Sequence, residues 1–114
     1  DQIDLMQLYD CFTPALLIQL EDLGFCHKGE GGDFLASGVT RPGGSKPLNT
    51  HGGMLSHCHP GNPGAMFGLT EAMLQMRGDA QARQLANIQT ALCHAQGGIM
   101  SSHATLILGV EETL

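Results

Sequence analysis

The stretch from Ile3 to Gly24, IDLMQLYDCFTPALLIQLEDLG, decides the fold, because a strand pattern gives way to a helix pattern within it. Apolar residues alternate loosely up to Tyr9, which predicts a short strand over residues 3–9. Thr13 followed by Pro14 predicts an N-cap with proline at the first helical position. Leucines then recur at helical spacing, and Gly24 predicts the end of the helix. A strand followed directly by a helix is the beginning of an α/β unit.

A glycine-rich segment follows the first helix. Residues 25–53 contain two prolines and many glycines, which predicts a long loop with a short strand around residues 47–50. Loops of this length in a small domain are usually functional or packed against another segment. A second helix is predicted from the helical spacing of apolar residues between Met66 and Met76, and Gly78 predicts its end.

Two short apolar runs near the end of the chain predict strands. They cover residues 88–93 and 104–108, and Gly97-Gly98 between them is typical of a turn that joins antiparallel neighbours. The order of elements is then strand, helix, loop strand, helix and two strands. This order predicts an α/β fold with a mixed sheet in one domain.

Composition excludes several classes of function. The 114 residues include 11 Asp and Glu against 5 Lys and Arg, so the net charge is -6 and the surface lacks the cationic field that nucleic-acid binding requires. No apolar run approaches the roughly 20 residues of a membrane-spanning helix. We therefore expect no nucleic-acid partner and no membrane partner. Hydrophobic residues at 42% with 14% charged residues indicate a folded chain.

The four cysteines predict reduced thiols and hence a cytoplasmic protein, because they form no CxxC pair and the chain is not cysteine-dense. Three of them directly precede histidines, in the pairs Cys26-His27, Cys58-His59 and Cys93-His94. These pairs raise zinc binding as an alternative. Adjacent side chains on a strand point to opposite faces, so each pair offers one ligand, and we expect no metal site.

Polar clusters fall where the chain reverses beside a helix start or a strand end, as ligand sites do in α/β proteins. Cys11 precedes the first helix, whose dipole favours a thiolate; the alternative is a small buried hydrophobic residue. His59 precedes the second helix and is a candidate general base or oxyanion donor; the alternative is a helix-entry residue packed against Pro60. Two further clusters lie at residues 49–53 and 94–98.

Six short motifs occur in order along the chain. They are Tyr9-Asp-Cys-Phe12, Leu20-Glu-Asp-Leu-Gly-Phe25, Lys28-Gly-Glu-Gly-Gly32, Arg41-Pro-Gly-Gly44, Asn49-Thr-His-Gly-Gly53 and Cys58-His-Pro-Gly61. Together they resemble the C-terminal part of the thiolase superfamily, in the branch of sterol-carrier-type and lipid-transfer-protein thiolases that includes thiolase-like aldolases. The resemblance implies that residues 1–114 form a partial thiolase-like C-terminal domain, without the N-terminal half and without the domain's first strand and helix.

The resemblance also implies a role for each matching residue. Cys11 takes the position of the acid/base thiol of the sterol-carrier branch, and His59 matches the histidine that helps activate the nucleophile and binds the thioester oxygen. Tyr9 then shapes the oxyanion site or carries a proton. The implied substrate is a coenzyme A thioester, with no other cofactor. The candidate substrate-binding residues are Asn49, His51, Gly52, Gly53, His57 and His94.

Two departures from the family pattern bear on the reaction. His94-Ala95-Gln96 stands where thiolases have a Cys-x-Gly acid/base motif, so Cys11 would have to supply that function. Tyr9 stands where thiolases have Asn or His, and a tyrosine there is similar to the thiolase-like aldolases that shorten steroid side chains. The leading hypothesis is an acyltransferase that makes or breaks a C–C bond next to a thioester. The alternatives are a retro-aldolase of a steroid side-chain acyl-CoA and a non-catalytic lipid- or acyl-CoA-binding subunit.

The family's nucleophilic cysteine belongs to its N-terminal half. The resemblance therefore implies a chain carrying that half, a dimer or higher oligomer, and, for this branch, a zinc-ribbon/OB-fold partner protein. The first strand of the family's C-terminal domain is central in the sheet. We therefore expect a gap in the sheet, and a chain that does not fold or act alone.

Overall fold

The computed structural model describes residues 2–113, which form a mixed three-stranded sheet with helices packed on it. The strands are β1 (Leu5–Leu8), β2 (Thr90–Gly97) and β3 (Ser102–Gly109); the helices are α1 (Thr13–Asp22), α2 (Gly31–Ala36), α3 (Gly53–Ser56) and α4 (Gly64–Arg77). Two single 3-10 turns cover Gln81–Arg83 and Glu111–Thr113. The predicted α/β class with a mixed sheet is confirmed. No helix among residues 2–113 is long and apolar enough to cross a membrane.

The sheet is continuous, with strand order β1-β2-β3. β1 pairs in parallel with β2, placing Leu5 opposite Ala91, and β2 pairs antiparallel with β3 through the predicted turn after Gly97. The predicted gap in the sheet is therefore wrong for this structure. β1 and β2 lie side by side, so the backbone groups that a missing strand would leave open bond to each other.

The other edge of β1 is also occupied. The amide of Met6 donates to the carbonyl of Pro47, and the amide of Asn49 donates to the carbonyl of Met6, at 2.9 Å each. Leu48 and Met6 thus form an isolated parallel bridge, so the short strand predicted around residues 47–50 is reduced to one bridge residue. Asn49 has φ +47°, in the left-handed region, and this ends the extended backbone after Leu48. The Asn49 side chain continues this pairing. Its Nδ2 donates to the Leu8 carbonyl, and its Oδ1 accepts from the Leu8 backbone amide.

The first helix begins one residue earlier than predicted. Phe12, not Thr13, is the N-cap, with extended backbone and no side-chain hydrogen bond to the helix. Pro14 still lies in the first turn, where the absence of an N–H costs nothing. Gly24 follows the helix end with φ +79°, in the conformation that favours glycine and ends helices. The second predicted helix is confirmed as α4, which ends at a left-handed Gly78.

The predicted long loop over residues 25–53 contains one short helix, α2, and ends where α3 begins. The amide of Gly31 donates to the carboxylate of Glu21 at 3.1 Å, which ties the start of α2 to α1. Phe34 and Leu35 of α2 then pack against the core around Leu20. Tertiary contacts with α1 therefore stabilise a six-residue helix whose first two residues are glycines.

The core lies on both faces of the sheet. One face carries Met6, Leu8 and Leu92 against Leu20 of α1, and the other carries Leu5, Ala91 and Cys93 against Ala72 of α4. Burial raises the pKa of the Cys93 thiol to about 11, so this cysteine is an inert core residue at neutral pH. β3 forms the other end of the sheet, and its residues Leu106 and Ile107 are 51% and 65% exposed.

A buried polar network fixes the segment that follows the Leu48 bridge. Glu71 of α4 is 2% exposed and accepts hydrogen bonds from Thr50 at 2.8 Å and Gln75 at 3.1 Å. Arg83 binds the same carboxylate through two nitrogens, at 3.0 and 3.2 Å. Burial acts to raise the pKa of Glu71, but the hydrogen bonds from Arg83, Thr50 and Gln75 outweigh burial and lower it below its usual value. Glu71 is therefore charged and anchors Thr50 to α4.

Asp10 fixes α3 in a comparable way. Its carboxylate is buried and accepts a hydrogen bond from the amide of Met54 at 2.6 Å. Gly53 has φ +69°, and a Cβ there would lie 2.1 Å from an Asp10 carboxylate oxygen. Asp10 thus requires a glycine at residue 53. Asp10 belongs to the first sequence motif, but the sequence predicted no role for it.

Removing the cation from the Glu71 network should destabilise the protein. Arg83→Met leaves a buried carboxylate without its ion pair, so we expect the thermal midpoint to fall by at least about 5 °C at pH 7. Lys28→Met is the matched control, because the Lys28–Asp22 pair is exposed, and it should shift the midpoint by less than about 1 °C. Because the folded pKa of Glu71 is depressed, its stabilisation is present above the unfolded pKa and is lost on acidification through the folded pKa. The difference between wild type and Arg83→Met should therefore shrink below about pH 4.

Adding a methyl group at Gly53 should also destabilise the protein. Gly53→Ala combines left-handed strain with a clash against Asp10, so we expect a loss of at least about 2 kcal/mol in urea unfolding. Gly43→Ala is the control, because Gly43 has φ +83° but no atom within 4 Å of its Cβ position. It should lose only about 1 kcal/mol from strain. Equal losses in the two variants would contradict the assigned role of Asp10.

Candidate active site

A cleft of about 300 Å³ opens at the end of β1, beside the start of α1 and the β2–β3 turn. It is lined by Tyr9, Cys11, Phe12, Ala15, His59, Gln96, Gly97, Gly98, Ile99 and Met100. The structure therefore brings together the three residues named as catalytic from the sequence. The lining contains no Lys, Arg, Asp or Glu among residues 2–113, so its proton-carrying groups are a phenol, a thiol and an imidazole.

Tyr9 and His59 are in direct contact. The phenol oxygen of Tyr9 lies 3.0 Å from Nε2 of His59, and the two rings meet edge to face with centroids 5.6 Å apart. Gly64 at the start of α4 allows this approach, since a Cβ there would lie 3.3 Å from the Tyr9 oxygen. The two residues are 50 positions apart in the chain and meet because α4 packs against β1.

Burial, followed by the nearby Cys11, raises the pKa of the Tyr9 phenol. The phenol therefore keeps its proton at neutral pH and can donate it to Nε2 of a neutral His59. This hydrogen bond requires the other ring proton of His59 to reside on Nδ1. The pair is then arranged for a proton to pass from oxygen to nitrogen.

The backbone of Tyr9 is held by both neighbouring elements. Its amide donates to the carbonyl of His94 on β2 at 3.1 Å and to the side-chain oxygen of Gln19 at 3.2 Å. The Gln19 side chain returns a hydrogen bond to the Tyr9 carbonyl at 2.8 Å. Gln19 is 3% exposed on α1. No sequence pattern indicated Gln19, which joins the end of β1 to the first helix.

Cys11 lies two residues before α1 and is partly buried in the cleft wall. Its sulfur accepts a hydrogen bond of 3.0 Å from the side-chain amide of Gln96 on β2. Gln96 was not among the candidate site residues. The available clue was its position in the His94-Ala95-Gln96 segment, which replaces the family's acid/base motif.

The structure places the candidate substrate-binding residues outside the lining of this cleft. Asn49 bonds the backbone of Leu8, and Gly52 and Gly53 enter α3 with left-handed backbone. His57 packs edge to face between His51 and Phe67, with ring centroids 5.4 and 5.7 Å apart. Their part in substrate binding stays a prediction.

His51 is enclosed near the cleft without facing it. Both of its ring nitrogens are buried, and neither has a hydrogen-bond partner among the described residues. Burial lowers the pKa of His51, although Glu71 and Asp10 act against this. His51 is therefore neutral at pH 7.

His94 points to the β3 side of the sheet. Its Nδ1 lies 2.7 Å from the Thr105 hydroxyl, and its Nε2 lies 3.2 Å from Nδ1 of His103. Burial, followed by repulsion from His103, lowers the pKa of His94. Within residues 2–113, the structure places no group of three or more His, Cys, Asp or Glu side chains to hold a metal ion.

Comparison with known proteins identifies a family. The family model described as "Thiolase C-terminal domain-like" matches residues 1–110. A 17-hydroxy-3-oxo-4-pregnene-20-carboxyl-CoA lyase of Mycobacterium tuberculosis is 45% identical over 102 residues, covering 90% of this chain and 25% of the lyase. An acetyl-CoA acetyltransferase of Methanothermobacter thermautotrophicus is 38% identical over 96 residues, covering 84% of this chain and 25% of that enzyme.

A solved structure gives the same result. The Ltp2-ChsH2(DUF35) aldolase superposes with a TM-score of 0.83 at 40% identity, covering 96% of this chain and 27% of the aldolase chain. The present chain thus spans about a quarter of the length of each of these three relatives. The motifs, the fold and these comparisons agree, and the chain belongs to the thiolase C-terminal domain-like family.

Proposed function

We propose that this chain supplies the proton-transfer part of an active site that makes or breaks a C–C bond next to an acyl-CoA thioester. The observation that carries the proposal is the Tyr9–His59 hydrogen bond in the cleft that also holds Cys11. Three groups that can exchange protons meet there, within reach of one bound molecule. The thioester is the substrate, and the proposal requires no other cofactor.

Retro-aldol cleavage of a β-hydroxyacyl-CoA uses these groups in a consistent order. The substrate hydroxyl gives its proton to the Tyr9 oxygen while Tyr9 passes its own proton to Nε2 of His59. The hydroxyl carbon becomes a ketone, and the electrons of the broken C–C bond form the enolate of the departing acyl-CoA. Cys11 then gives a proton to the α-carbon, and the proton held by His59 restores the Cys11 thiol. No water is consumed and no acyl-enzyme is needed.

Tyr9 favours this reaction over thiolysis. A phenol that donates to a neutral imidazole is suited to removing a hydroxyl proton, which a Claisen reaction does not require. Two relatives at 45% and 42% identity are named as a lyase of a pregnene carboxyl-CoA and as a steroid side-chain-cleaving aldolase. We therefore propose a steroid side-chain acyl-CoA as the substrate class.

Acyl transfer is the second candidate, favoured by Cys11. A thiol acid/base in the same cleft is the group that a thiolase needs to move the α-proton, and an acetyl-CoA acetyltransferase is 38% identical. A non-catalytic carrier is less favoured. The cleft of about 300 Å³ lies at the lower end of the usual range for ligand pockets, and a carrier would have to enclose its lipid.

The proposed enzyme needs more protein than residues 1–114. Since the chain spans about a quarter of its relatives, we propose that a thiolase N-terminal half, in the same or another polypeptide, completes the site. A further protein component is proposed by analogy with the matched aldolase, whose name includes ChsH2(DUF35). We also propose a dimer or higher oligomer in the cytoplasm.

Removing the Tyr9 hydroxyl should separate the two reactions. In the complete enzyme, Tyr9→Phe keeps the ring but removes the proton acceptor, so retro-aldol turnover should fall by about 10²–10⁴-fold. Release of the short acyl-CoA is measured by chromatography. Thermal unfolding checks that the variant is folded. Full retention of cleavage by Tyr9→Phe would contradict the role proposed for the Tyr9 hydroxyl. Thiolytic activity in the wild-type enzyme without cleavage would decide for acyl transfer.

Removing either of the other two groups should also reduce turnover. Cys11→Ala and His59→Asn should each lower the rate by at least about 100-fold, because each removes a proton carrier. The matched controls are Cys26→Ala and His27→Asn, whose side chains lie outside the cleft; they should retain wild-type turnover. If Cys11→Ala and His59→Asn both retain full acyl-CoA turnover, the assignment of this cleft is wrong.

A further inference from the structure

We propose that Gln96 is a positioning residue that controls the protonation and reactivity of Cys11. The Gln96 side chain reaches from β2 across the cleft wall, and its nitrogen donates to the Cys11 sulfur at 3.0 Å. A hydrogen bond from N–H to sulfur stabilises the thiolate relative to the thiol. The inference rests on the proposed function of this cleft, but the reactivity of a thiol can be measured without turnover.

The Gln96 carbonyl supports this role. Its oxygen is buried and has no hydrogen-bond partner among the described residues. A buried carbonyl without a hydrogen-bond partner costs free energy. The Gln96 amide therefore holds its nitrogen on the Cys11 sulfur although its own oxygen gains no partner in this orientation.

Among residues 2–113, the cleft lining around Cys11 contains no Lys, Arg, Asp or Glu that could stabilise the thiolate or the thiol. Tyr9 and His59 are the other titratable groups in the cleft lining, and they bond to each other. The neighbouring Asp10 directs its carboxylate to the amide of Met54. From β2 and its turn, the lining residues after Gln96 are glycine, isoleucine and methionine. The Gln96 amide is thus the side chain that donates a hydrogen bond to the Cys11 sulfur.

Alkylation by iodoacetamide tests the inference in the complete enzyme. The thiolate displaces iodide, so a C–S bond forms as the C–I bond breaks, and mass spectrometry of peptides gives the rate at each cysteine. Cys26 is the internal control, because it lies near Glu21 and Glu30 on another part of the surface. The alkylation rate of each cysteine is measured at several pH values from about 6 to about 10.

The variants are Gln96→Leu, which removes the amide, and Gln96→Glu, which keeps its shape but can only accept and adds a negative charge. We expect Gln96→Leu to slow Cys11 alkylation at pH 7 by about tenfold and Gln96→Glu to slow it further. The pH of half-maximal alkylation should rise in both variants, while the Cys26 profile stays in place.

Unchanged Cys11 profiles in both variants would overturn the inference, as would a wild-type Cys11 that iodoacetamide fails to label at any pH. Gln96→Glu decides the matter if Gln96→Leu does not fold, because it keeps the size of the side chain. Failure of the proposed function gives a different result. In that case the wild-type enzyme does not cleave acyl-CoA, yet the Gln96 variants still shift the alkylation profile.

Discussion

The parallel pairing of β1 with β2 is the constraint on which the site depends. β1 is four residues long, yet its backbone is bonded on one edge to β2 and on the other to the segment around Leu48. Two parallel strands that end at the same edge of a sheet present their following residues together. Tyr9 follows β1 and bonds to the His94 carbonyl, which places the Tyr9–Cys11 segment next to Gln96.

The position of His59 next to Tyr9 depends on two glycines of α4. Gly64 and Gly68 of α4 lie against Tyr9 and Gln7, where added Cβ atoms would be 3.3 and 3.2 Å away. α4 can therefore pack close to β1, and the turn before it delivers His59 to the phenol. The acidic residues Asp10 and Glu71 hold the intervening segment through amide, hydroxyl and guanidinium donors. The two glycines thus determine how closely α4 packs against β1, and the two buried carboxylates fix the chain that leads to α4.

The parts of the fold that the sequence predicted are those with local causes. α1 and α4 follow from helical spacing and a glycine after each end, and the strands follow from short apolar runs. α2 was missed because Glu21, ten residues away, and the packing of Phe34 stabilise it. The sequence motifs named Tyr9, Cys11 and His59, and the structure places these three residues in the lining of one cleft. Gln96 was missed because its contact with Cys11 spans 85 positions and depends on the register of the sheet.

The kinds of side chain that line the cleft limit the chemistry that fits it. Its proton carriers are Tyr9, Cys11 and His59, and burial keeps the phenol protonated at neutral pH. No Lys, Arg, Asp or Glu of the described residues lines the cleft, so the enolate of the proposed reaction would meet hydrogen-bond donors and the transient imidazolium of His59. Donors placed where charge develops in a partly buried site stabilise a transient anion. A reaction that creates an anion by breaking a C–C bond and then removes it by protonation matches such a site.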